Sequence, residues 1–420
     1  MTDFPIEQLR AQFPSLITPS ESGSLPIFLD NPAGTQVPQQ VIDAVRDYYI
    51  HMNANAGGFF ETSRRNDEMV QSVRQQVADF LNAPSPDEIV FGPNMTTLNF
   101  ALSRALAKTL SPGDEIILTR MDHDANITPW TRIAEDYNLV IRWIDIIRED
   151  ATLDLSTLED ALSSRTKIVA TAHASNAVGT INPIRQIGQM AHAVGALYVV
   201  DAVQSAPHIP IDVQAIDCDF LLCSAYKFYG PHIGILWGRY DLLAQLPVYK
   251  VRPAKDVPPH RWETGTQSFE TIAAVGAALD YLAAIADMTT IDTPAWQHLD
   301  GQRLRFKKAM EAIVSYEKEL ATHLIDGLQN IDGIQVVGIV EPERYHQRVP
   351  TVACVHKQHT PAYLAQHLAA NHIYAWSGNY YAVEIVNALG YAEHGMLRLG
   401  IAHYNTHDEI DRTLAVLQQL

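Results

Sequence analysis

The sequence predicts an α/β protein with a mostly parallel β-sheet flanked by helices, followed by a smaller α+β domain. Two observations predict this class. Between about residues 85 and 240, short apolar segments alternate with amphipathic helical segments, which is typical of a parallel sheet. After about residue 285, one long amphipathic helix precedes further strands and helices. The chain has 420 residues, 47% of them hydrophobic, so it can form a large core and a second domain.

Seven segments fit the strands of the main sheet. Each is a run of apolar residues, many of them β-branched, bounded by polar or turn residues. In chain order they are DEIVFG, DEIILT, NLVIRWI, TKIVATAHAS, ALYVVDA, DFLLCSA and IGILWG. Between them, IRQIGQMAHAVG has helical periodicity and is closed by Gly195. Since ligands of such sheets bind at the carboxyl ends of the strands, we look for the site there.

The C-terminal part has a different pattern. GQRLRFKKAMEAIVSYEKELATHLIDGLQNI predicts one long helix, and IQVVGIV, TVACVHK and MLRLGIA predict strands. The proline-rich, charged stretch KVRPAKDVPPHRWETG predicts a loop whose length suggests a function. We therefore predict a segment over residues 1–25 that packs on the small domain, a large domain over 26–285 and a small C-terminal domain over 286–420.

Charge and cysteine usage limit the partners and the compartment. A net charge of −18 argues against a general nucleic-acid or anionic-membrane binder. The N-terminal residues lack a signal-peptide pattern, and no apolar run approaches the ~18 to 20 residues that span a bilayer. Three cysteines, Cys218, Cys223 and Cys354, predict reduced thiols in a cytoplasmic protein, and their spacing does not predict a metal site.

Polar residues follow several of the predicted strands. Lys227 follows DFLLCSA, Asp201 ends the strand ALYVVDA with Gln204 three residues further on, and Asn176 follows another strand. Taken alone, Asp201 would be read as a helix N-cap. A lysine able to form a Schiff base, together with a carboxylate that keeps a pyridine nitrogen protonated, is what pyridoxal phosphate (PLP) chemistry requires.

Two further stretches leave alternatives open. In FGPNMTTLNFALSRAL a Gly-Pro turn and Asn94 open a helix, whose backbone N–H groups could hold a phosphate or form an ordinary capped helix start. In MDHDANITPW, His123 could be a structural residue, a metal ligand or an aromatic face stacked on a pyridine ring.

Several motifs resemble a known family. FLDNPAGTQVP, SNAVGTINPI, VDAVQSAPHIPIDVQAIDCDFLLCSAYKFYGP, WETGTQSFETIAAVGAALDYL and LRLGIAHYNTHDEID resemble the class V aminotransferase group of PLP enzymes. Within it, the chain is most similar to the cysteine desulfurases and selenocysteine lyases. The resemblance covers nearly the whole chain. It implies the type I PLP-dependent transferase fold, with PLP bound by the large domain.

The resemblance also implies roles for residues at matching positions. Lys227 would be the Schiff-base lysine, Asp201 the partner of the pyridine nitrogen, Gln204 the partner of the ring's phenolic oxygen, and His123 the group stacked on the ring. Four residues would surround the phosphate, the last from the second subunit of a homodimer with shared active sites: Met95, Thr96, Ser224 and Thr266. Two residues would bind the substrate carboxylate: Asn176 and Arg398.

The chain departs from the desulfurase pattern in two places. Tyr226 stands where desulfurases have a histidine before the lysine. In HIYAWSGNYYAVEIV, Tyr381 stands where they have the cysteine that removes sulfur as a persulfide, and Trp376 where they usually have an arginine. Since none of the three cysteines lies in this stretch, persulfide chemistry has no nucleophile here. Tyr381 becomes a candidate substrate-binding residue.

The leading prediction is a PLP-dependent enzyme that removes the Cα proton of a small amino acid and eliminates at Cβ, as a carbon–sulfur lyase does. Lys227 would be the base, and Tyr226, Tyr380 or Tyr381 could assist the leaving group. Three alternatives stay open: an aminotransferase or epimerase, a cysteine desulfurase that uses another thiol, and a non-catalytic PLP-binding protein.

Overall fold

A computed structural model describes residues 4–20 and 23–420; residues 1–3 and 21–22 of the predicted N-terminal segment lie outside the described residues. The helices, α1 to α15 in chain order, are Ile6–Arg10, Pro14–Ile17, Gln39–His51, Glu61–Leu81, Met95–Ala107, Thr128–Tyr137, Leu155–Ala161, Ile184–Ala193, Val213–Ile216, Tyr240–Gln245, Phe269–Ile285, Gly301–Gln329, Pro361–Ala370, Val383–Ala388 and His407–Leu417. The strands, β1 to β15, are Ile27–Phe28, Ile89–Gly92, Glu115–Thr119, Val140–Ile144, Ile146–Ile147, Thr152–Leu153, Thr166–Ala172, Leu197–Asp201, Phe220–Ser224, Gly234–Gly238, Ile334–Val337, Thr351–His356, Ile373–Tyr374, Trp376–Gly378 and Met396–Gly400. Short 3-10 helices are Pro86–Glu88, Asp124–Asn126, Ala225–Lys227, Pro294–Trp296 and Pro342–Gln347.

The main sheet has seven strands in the order β2-β10-β9-β8-β7-β3-β4. All run parallel except β10, which pairs antiparallel with both β2 and β9. Each of these strands lies within one of the seven predicted segments. The predicted fold class, a mostly parallel sheet flanked by helices, is confirmed.

Helices cover the main sheet on both faces, which explains why its strands read as continuous apolar runs. On one face α5 and α6 bury Leu98 and Trp130 against strand residues such as Leu222. On the other face α8 and α11 bury Ile187 and Leu279 in a second core. The edge strand β4 is half exposed, because it has a neighbour on one side only.

The smaller sheet has the order β11-β12-β15-β14, and all its pairs are antiparallel. The long helix α12 and helices α13 and α15 pack against it and against one another. The three predicted strands of this region are confirmed. Strand β14 lies in HIYAWSGNYYAVEIV, for which the sequence analysis predicted no strand, and it pairs with β15 through Trp376 and Arg398.

The N-terminal segment contacts the helices of the small sheet. Phe4 stacks on Tyr316 of α12 with ring centroids 4.4 Å apart, and Arg10 pairs with Glu409 of α15 at 2.9 Å. Strand β1 then pairs in parallel with β13. The domain boundaries at residues 25 and 285 stay a prediction.

The predicted loop before α11 is confirmed, since residues 246–268 contain no helix or strand. Among the described helices, none has a long enough apolar stretch to cross a membrane.

Gly234, the first residue of β10, lets the start of helix α5 approach the sheet closely. A Cβ atom added there would lie 2.3 Å from the carbonyl carbon of Asn94 and 2.7 Å from the backbone nitrogen of Met95. Both contacts are with backbone atoms, which cannot rotate away as a flexible side chain could. The absence of a side chain at Gly234 therefore determines where the helix start lies.

We expect Gly234→Ala to lower the free energy of unfolding by roughly 1–3 kcal/mol, because helix α5 must shift against a packed core. Gly113→Ala is the control, since a Cβ there meets nothing within 4 Å and its cost comes from the positive φ of 86° alone. The measurement is the midpoint of urea unfolding for both variants. A Gly234→Ala protein as stable as the parent would contradict this account.

Candidate active site

A cavity of about 840 Å³ lies at the carboxyl ends of β7, β8 and β9 and is closed by residues of the small sheet. Ten of the predicted site residues line it: Met95, Thr96, His123, Asn176, Asp201, Gln204, Ser224, Lys227, Tyr381 and Arg398. The remaining one, Thr266, does not line it and lies exposed in the loop before α11.

Lys227 lies at the end of the 3-10 turn that follows β9, with 8% of its surface exposed. Its Nζ donates a hydrogen bond to the carbonyl oxygen of Pro32. Burial, and then the charge of Arg398, lower the pKa of the amine to about 7, although the Asp201 carboxylate acts in the opposite direction. A large part of the amine is therefore neutral and nucleophilic near neutral pH.

Asp201 is the last residue of β8 and is 5% exposed. Its Oδ1 accepts a hydrogen bond from the Val203 N–H at 2.9 Å. Burial raises the pKa of the carboxyl to about 6, while this hydrogen bond and the charge of Lys227 lower it. Since β8 and β9 are parallel neighbours, Asp201 and Lys227 face the same crevice.

The sequence analysis did not identify Asp122 as a residue of the site. It is fully buried, and its carboxylate accepts hydrogen bonds from Thr119 Oγ1 at 2.7 Å, Asn126 Nδ2 at 2.7 Å and the Ala172 N–H at 2.9 Å. Burial raises its pKa to about 7. Asp122 thus joins the ends of β3 and β7 and anchors the turn that carries His123.

His123 presents a neutral imidazole to the cavity. Its Nδ1 accepts a hydrogen bond from the Ala125 N–H at 3.0 Å, and burial, then the charge of Lys227, lower its pKa to about 4. The ring of Tyr381 stacks on it, with centroids 5.6 Å apart and planes at 23°. Among the described residues, no group of three or more His, Cys, Asp or Glu side chains could hold a metal ion. In the structure His123 stacks on an aromatic side chain, and its stacking on a pyridine ring stays a prediction.

The start of helix α5 forms the end of the cavity predicted to hold the phosphate. Asn94 caps this helix, its side chain accepting from the Thr97 N–H at 2.8 Å, and the Met95 N–H donates to Ser224 Oγ at 3.1 Å. Thr96 is exposed to the cavity. The helix has 13 residues, and its positive end suits an anion.

Gln204 links the cavity to the small sheet. Its Nε2 donates to Thr351 Oγ1 of β12 at 3.0 Å and lies 3.4 Å from His208 Nε2. His208 in turn pairs with the buried Glu317 of α12 through Nδ1 at 2.9 Å. The amide predicted to bind a ring oxygen therefore contacts Thr351 of the small sheet and His208 of the turn after β8.

Arg398 and Asn176 lie at the other end of the cavity. Arg398 is 3% exposed, and its Nη1 donates to the Asn176 carbonyl at 2.8 Å. Its Nε and Asn176 Oδ1 are buried without a hydrogen-bond partner. Burial lowers the pKa of the guanidinium to about 10, so it stays ionised at neutral pH. A buried cation with unused donors suits a carboxylate ligand.

The three candidate tyrosines differ in the contacts and exposure of their side chains. The Tyr380 hydroxyl donates to the Met396 carbonyl, and burial raises its pKa far above the ordinary value. Tyr226 stacks on His232, with centroids 4.8 Å apart. Tyr381 has 72% of its surface exposed, and, unlike Tyr380, neither Tyr381 nor Tyr226 has its hydroxyl bonded to a backbone carbonyl of the described residues.

All three thiols are fully buried and none lines the cavity. Burial raises the pKa of Cys354 to about 12 and those of Cys218 and Cys223 further. These thiols are free and buried, and burial disfavours the thiolate form.

The family model and the curated relatives that match this chain indicate the same family. The profile of the family described as Aminotransferase class-V matches residues 27–300 and 301–413. The chain is 32% identical over 432 residues to a cysteine desulfurase of Serratia proteamaculans (strain 568), covering 99% of this chain and 98% of the relative. It is also 32% identical over 360 residues to a probable cysteine desulfurase of Streptomyces coelicolor, covering 80% of each chain.

Solved structures agree with the sequence comparisons. The apo structure of a cysteine desulfurase from Thermococcus onnurineus NA1 is similar with a TM-score of 0.86 and 26% identity, over 99% of this chain and 98% of that one. The cysteine desulfurase CsdA of Escherichia coli is similar with a TM-score of 0.82 and 26% identity, over the same shares.

The lowered pKa of Lys227 predicts how its reactivity depends on pH. Below about pH 7 the amine is protonated and unreactive, and above it the free base dominates, whereas exposed lysines stay protonated until about pH 10. In the cofactor-free protein, acylation of Lys227 by acetic anhydride should therefore rise with a midpoint near neutral pH. Peptide mass spectrometry measures this, with the exposed Lys357 as the internal control. A Lys227 profile that matches that of Lys357 would contradict the assignment.

Proposed function

The chain belongs to the class-V aminotransferase family of PLP-dependent enzymes. From this premise we propose that it is a carbon–sulfur lyase that acts on a small amino acid. It would remove the Cα proton and eliminate the group at Cβ. The observation that carries the elimination is the make-up of the cavity wall. Among the residues that line the cavity there is no cysteine. Tyr381, which lines it, lies between β14 and α14.

The residues present fit PLP. A buried amine with a lowered pKa, a buried carboxylate at the next strand end and a capped helix start lie around one cavity. When bound, PLP supplies an electron sink that stabilises negative charge at Cα. Lys227 would hold it covalently, Asp201 would keep its ring nitrogen protonated, and His123 would stack on its ring. The Met95 N–H, Thr96 and Ser224 would hold its phosphate.

On the substrate side, each residue has a task that follows from its surroundings. Arg398 and Asn176 bind the carboxylate and orient the Cα–H bond. Lys227 would accept the Cα proton, because its lowered pKa leaves a large part of the free amine unprotonated at neutral pH. The bond of the Tyr380 hydroxyl to Met396 disfavours it as a proton donor. Of the other two tyrosines, Tyr226 is stacked on His232, and we assign the leaving-group end to the more exposed Tyr381.

Elimination needs fewer protein groups than persulfide transfer. Persulfide transfer needs a thiolate beside the substrate sulfur. The three thiols of this chain are buried, and burial disfavours their ionisation. Elimination needs only the base, the electron sink and a leaving group that departs as a stable anion. A disulfide-containing amino acid such as cystine meets this condition, because a persulfide leaves more readily than hydrosulfide.

A cysteine desulfurase is the second candidate, favoured by the names of the relatives. It would require a thiol to reach the cavity. Cys354 lies in β12 opposite Leu397, the residue before Arg398, and Cys223 directly precedes Ser224 of the cavity wall. The two candidates differ in their products: elimination yields a keto acid and ammonia, whereas desulfuration yields alanine and a protein-bound persulfide.

We expect the variant with Cys218, Cys223 and Cys354 all changed to alanine to keep cystine turnover within about threefold of the parent, because no thiol takes part in the reaction. The folded core should tolerate the small loss of side-chain volume. Pyruvate and ammonia should form in equal amounts, with no alanine. The Lys227→Ala variant is the inactive control. With free cysteine as the substrate, alanine as the product and persulfide trapped on Cys354 of the parent would replace this proposal with the desulfurase.

We further propose a homodimer with shared active sites. Helix α3 and the turn after it expose a group of large apolar side chains that a partner would cover: Ile42, Tyr49, Ile50, Phe59 and Phe60. Thr266 is exposed in the loop before α11, outside its own cavity. A second subunit would bring Thr266 to the phosphate and bury well over ~2,000 Å² in total.

We expect sedimentation velocity to give a dimer at the concentrations used for assay. Thr266→Ala should weaken PLP affinity about tenfold to a hundredfold, because one hydrogen bond to a charged phosphate is lost. Thr264→Ala is the matched control, since Thr264 is also exposed in the same loop. A fully active monomer, or equal PLP affinity in both variants, would contradict the shared site.

A further inference from the structure

The segment 376–382, which we call the strap, closes the cavity over Arg398. Two consecutive residues in it, Tyr380 with φ of 54° and Tyr381 with φ of 59°, adopt the left-handed conformation. Bulky side chains rarely adopt this conformation, and it persists only where surrounding contacts determine it. Such strain points to a role for the side chains that it places.

Contacts from three neighbouring elements hold the strap. The Tyr381 carbonyl accepts from the Asp124 N–H at 2.6 Å, and the Tyr380 carbonyl accepts from Asn176 Nδ2 at 3.0 Å. The Tyr380 hydroxyl donates to the Met396 carbonyl of β15. Within the strap, Asn379 Oδ1 accepts from the Tyr381 N–H at 3.1 Å. The ring of Tyr380 is thus held at both its backbone and its hydroxyl.

The ring so held lies under the guanidinium of Arg398, whose central carbon is 4.3 Å from the ring centroid. The same arginine donates to the Asn176 carbonyl, and Asn176 donates to the Tyr380 carbonyl, which closes a ring of three contacts. No carboxylate forms an ion pair with Arg398 among the described residues; Asp30 acts on it only at longer range.

The difference between an aromatic and a carboxylate partner matters for ligand binding. A carboxylate would neutralise Arg398 and occupy its N–H donors, so an incoming carboxylate would have to displace it. An aromatic face attracts the cation through the ring quadrupole and leaves the donors in the guanidinium plane free. The unpartnered Nε of Arg398 agrees with this arrangement.

We propose that Tyr380 is a positioning residue: its ring holds the guanidinium plane of Arg398 so that the free N–H groups face the cavity, and it thereby sets the affinity for the substrate carboxylate. This inference rests on the proposed role of Arg398. A tyrosine that merely fills space would give the same stability but no selectivity for a charged carboxylate, and this difference can be measured.

The test uses the PLP-loaded enzyme and the shift in cofactor absorbance on titration with alanine and with alaninamide, which lacks the carboxylate charge. Tyr380→Leu, which removes the ring, should weaken the affinity for alanine about tenfold and leave that for alaninamide nearly unchanged. Tyr380→Phe, which keeps the ring, should stay within about threefold of the parent for both ligands. With a turned-over substrate, KM should rise in Tyr380→Leu while kcat changes little.

Fluorinated phenylalanines at position 380 provide a second measurement in case Tyr380→Leu does not fold. Successive fluorine atoms weaken and then reverse the ring quadrupole at nearly constant shape, so the affinity for alanine should fall stepwise while stability is kept. Tyr391→Leu is the matched control, because Tyr391 is half-buried in the small domain and does not line the cavity.

The Arg398→Leu variant distinguishes a failure of the proposed role of Arg398 from a failure of the proposed role of Tyr380. If it leaves the ratio of alanine to alaninamide affinity unchanged, the proposed role of Arg398 fails, and with it the premise of this inference. If Arg398→Leu abolishes the ratio while Tyr380→Leu and the fluorinated series keep it at the parent value, Arg398 stands as the carboxylate site and the role of Tyr380 is overturned.

Discussion

The arrangement of the cavity depends on the burial of one amine. Lys227 lies at the end of a fully buried strand, where it bonds to a backbone carbonyl rather than to a carboxylate. Desolvation therefore lowers its pKa, and the positive charge of Arg398 adds to the effect. The same low-polarity surroundings raise the pKa of Asp201 and keep His123 neutral. Burial in the same cavity thus lowers the pKa of the Lys227 amine, raises that of the Asp201 carboxyl and keeps the His123 ring uncharged.

The site also requires both sheets at once. The main sheet supplies the amine and the carboxylate, whereas Arg398 comes from the smaller sheet and the strap crosses between them. Gln204 and Thr351 form a direct hydrogen bond across this boundary. A shift of one sheet against the other would separate Arg398 from Lys227 and Asp201, so the proposed chemistry depends on the packing between the two sheets.

The aromatic strap distinguishes this chain in physical terms. Solved structures with the same fold are named cysteine desulfurases. Here the stretch over the cavity carries Tyr380, bonded to Met396, and Tyr381, stacked on His123, and the thiols lie in the sheets. A wall fixed by several hydrogen bonds is suited to orienting a substrate, whereas carrying a sulfur atom away from the site requires a thiolate and movement.

The sequence by itself determined the seven strands of the main sheet, the long helix α12 and the positions of Lys227 and Asp201 at strand ends, because apolar periodicity and strand-end polarity are local properties. The tertiary structure alone decided the pairing of β14 with β15, the burial of Asp122 under three donors and the exposure of Thr266 outside its own cavity. It also decided that Tyr380 packs under Arg398. These features arise from contacts between residues far apart in the chain and from left-handed backbone at two tyrosines, which no local pattern of residues encodes.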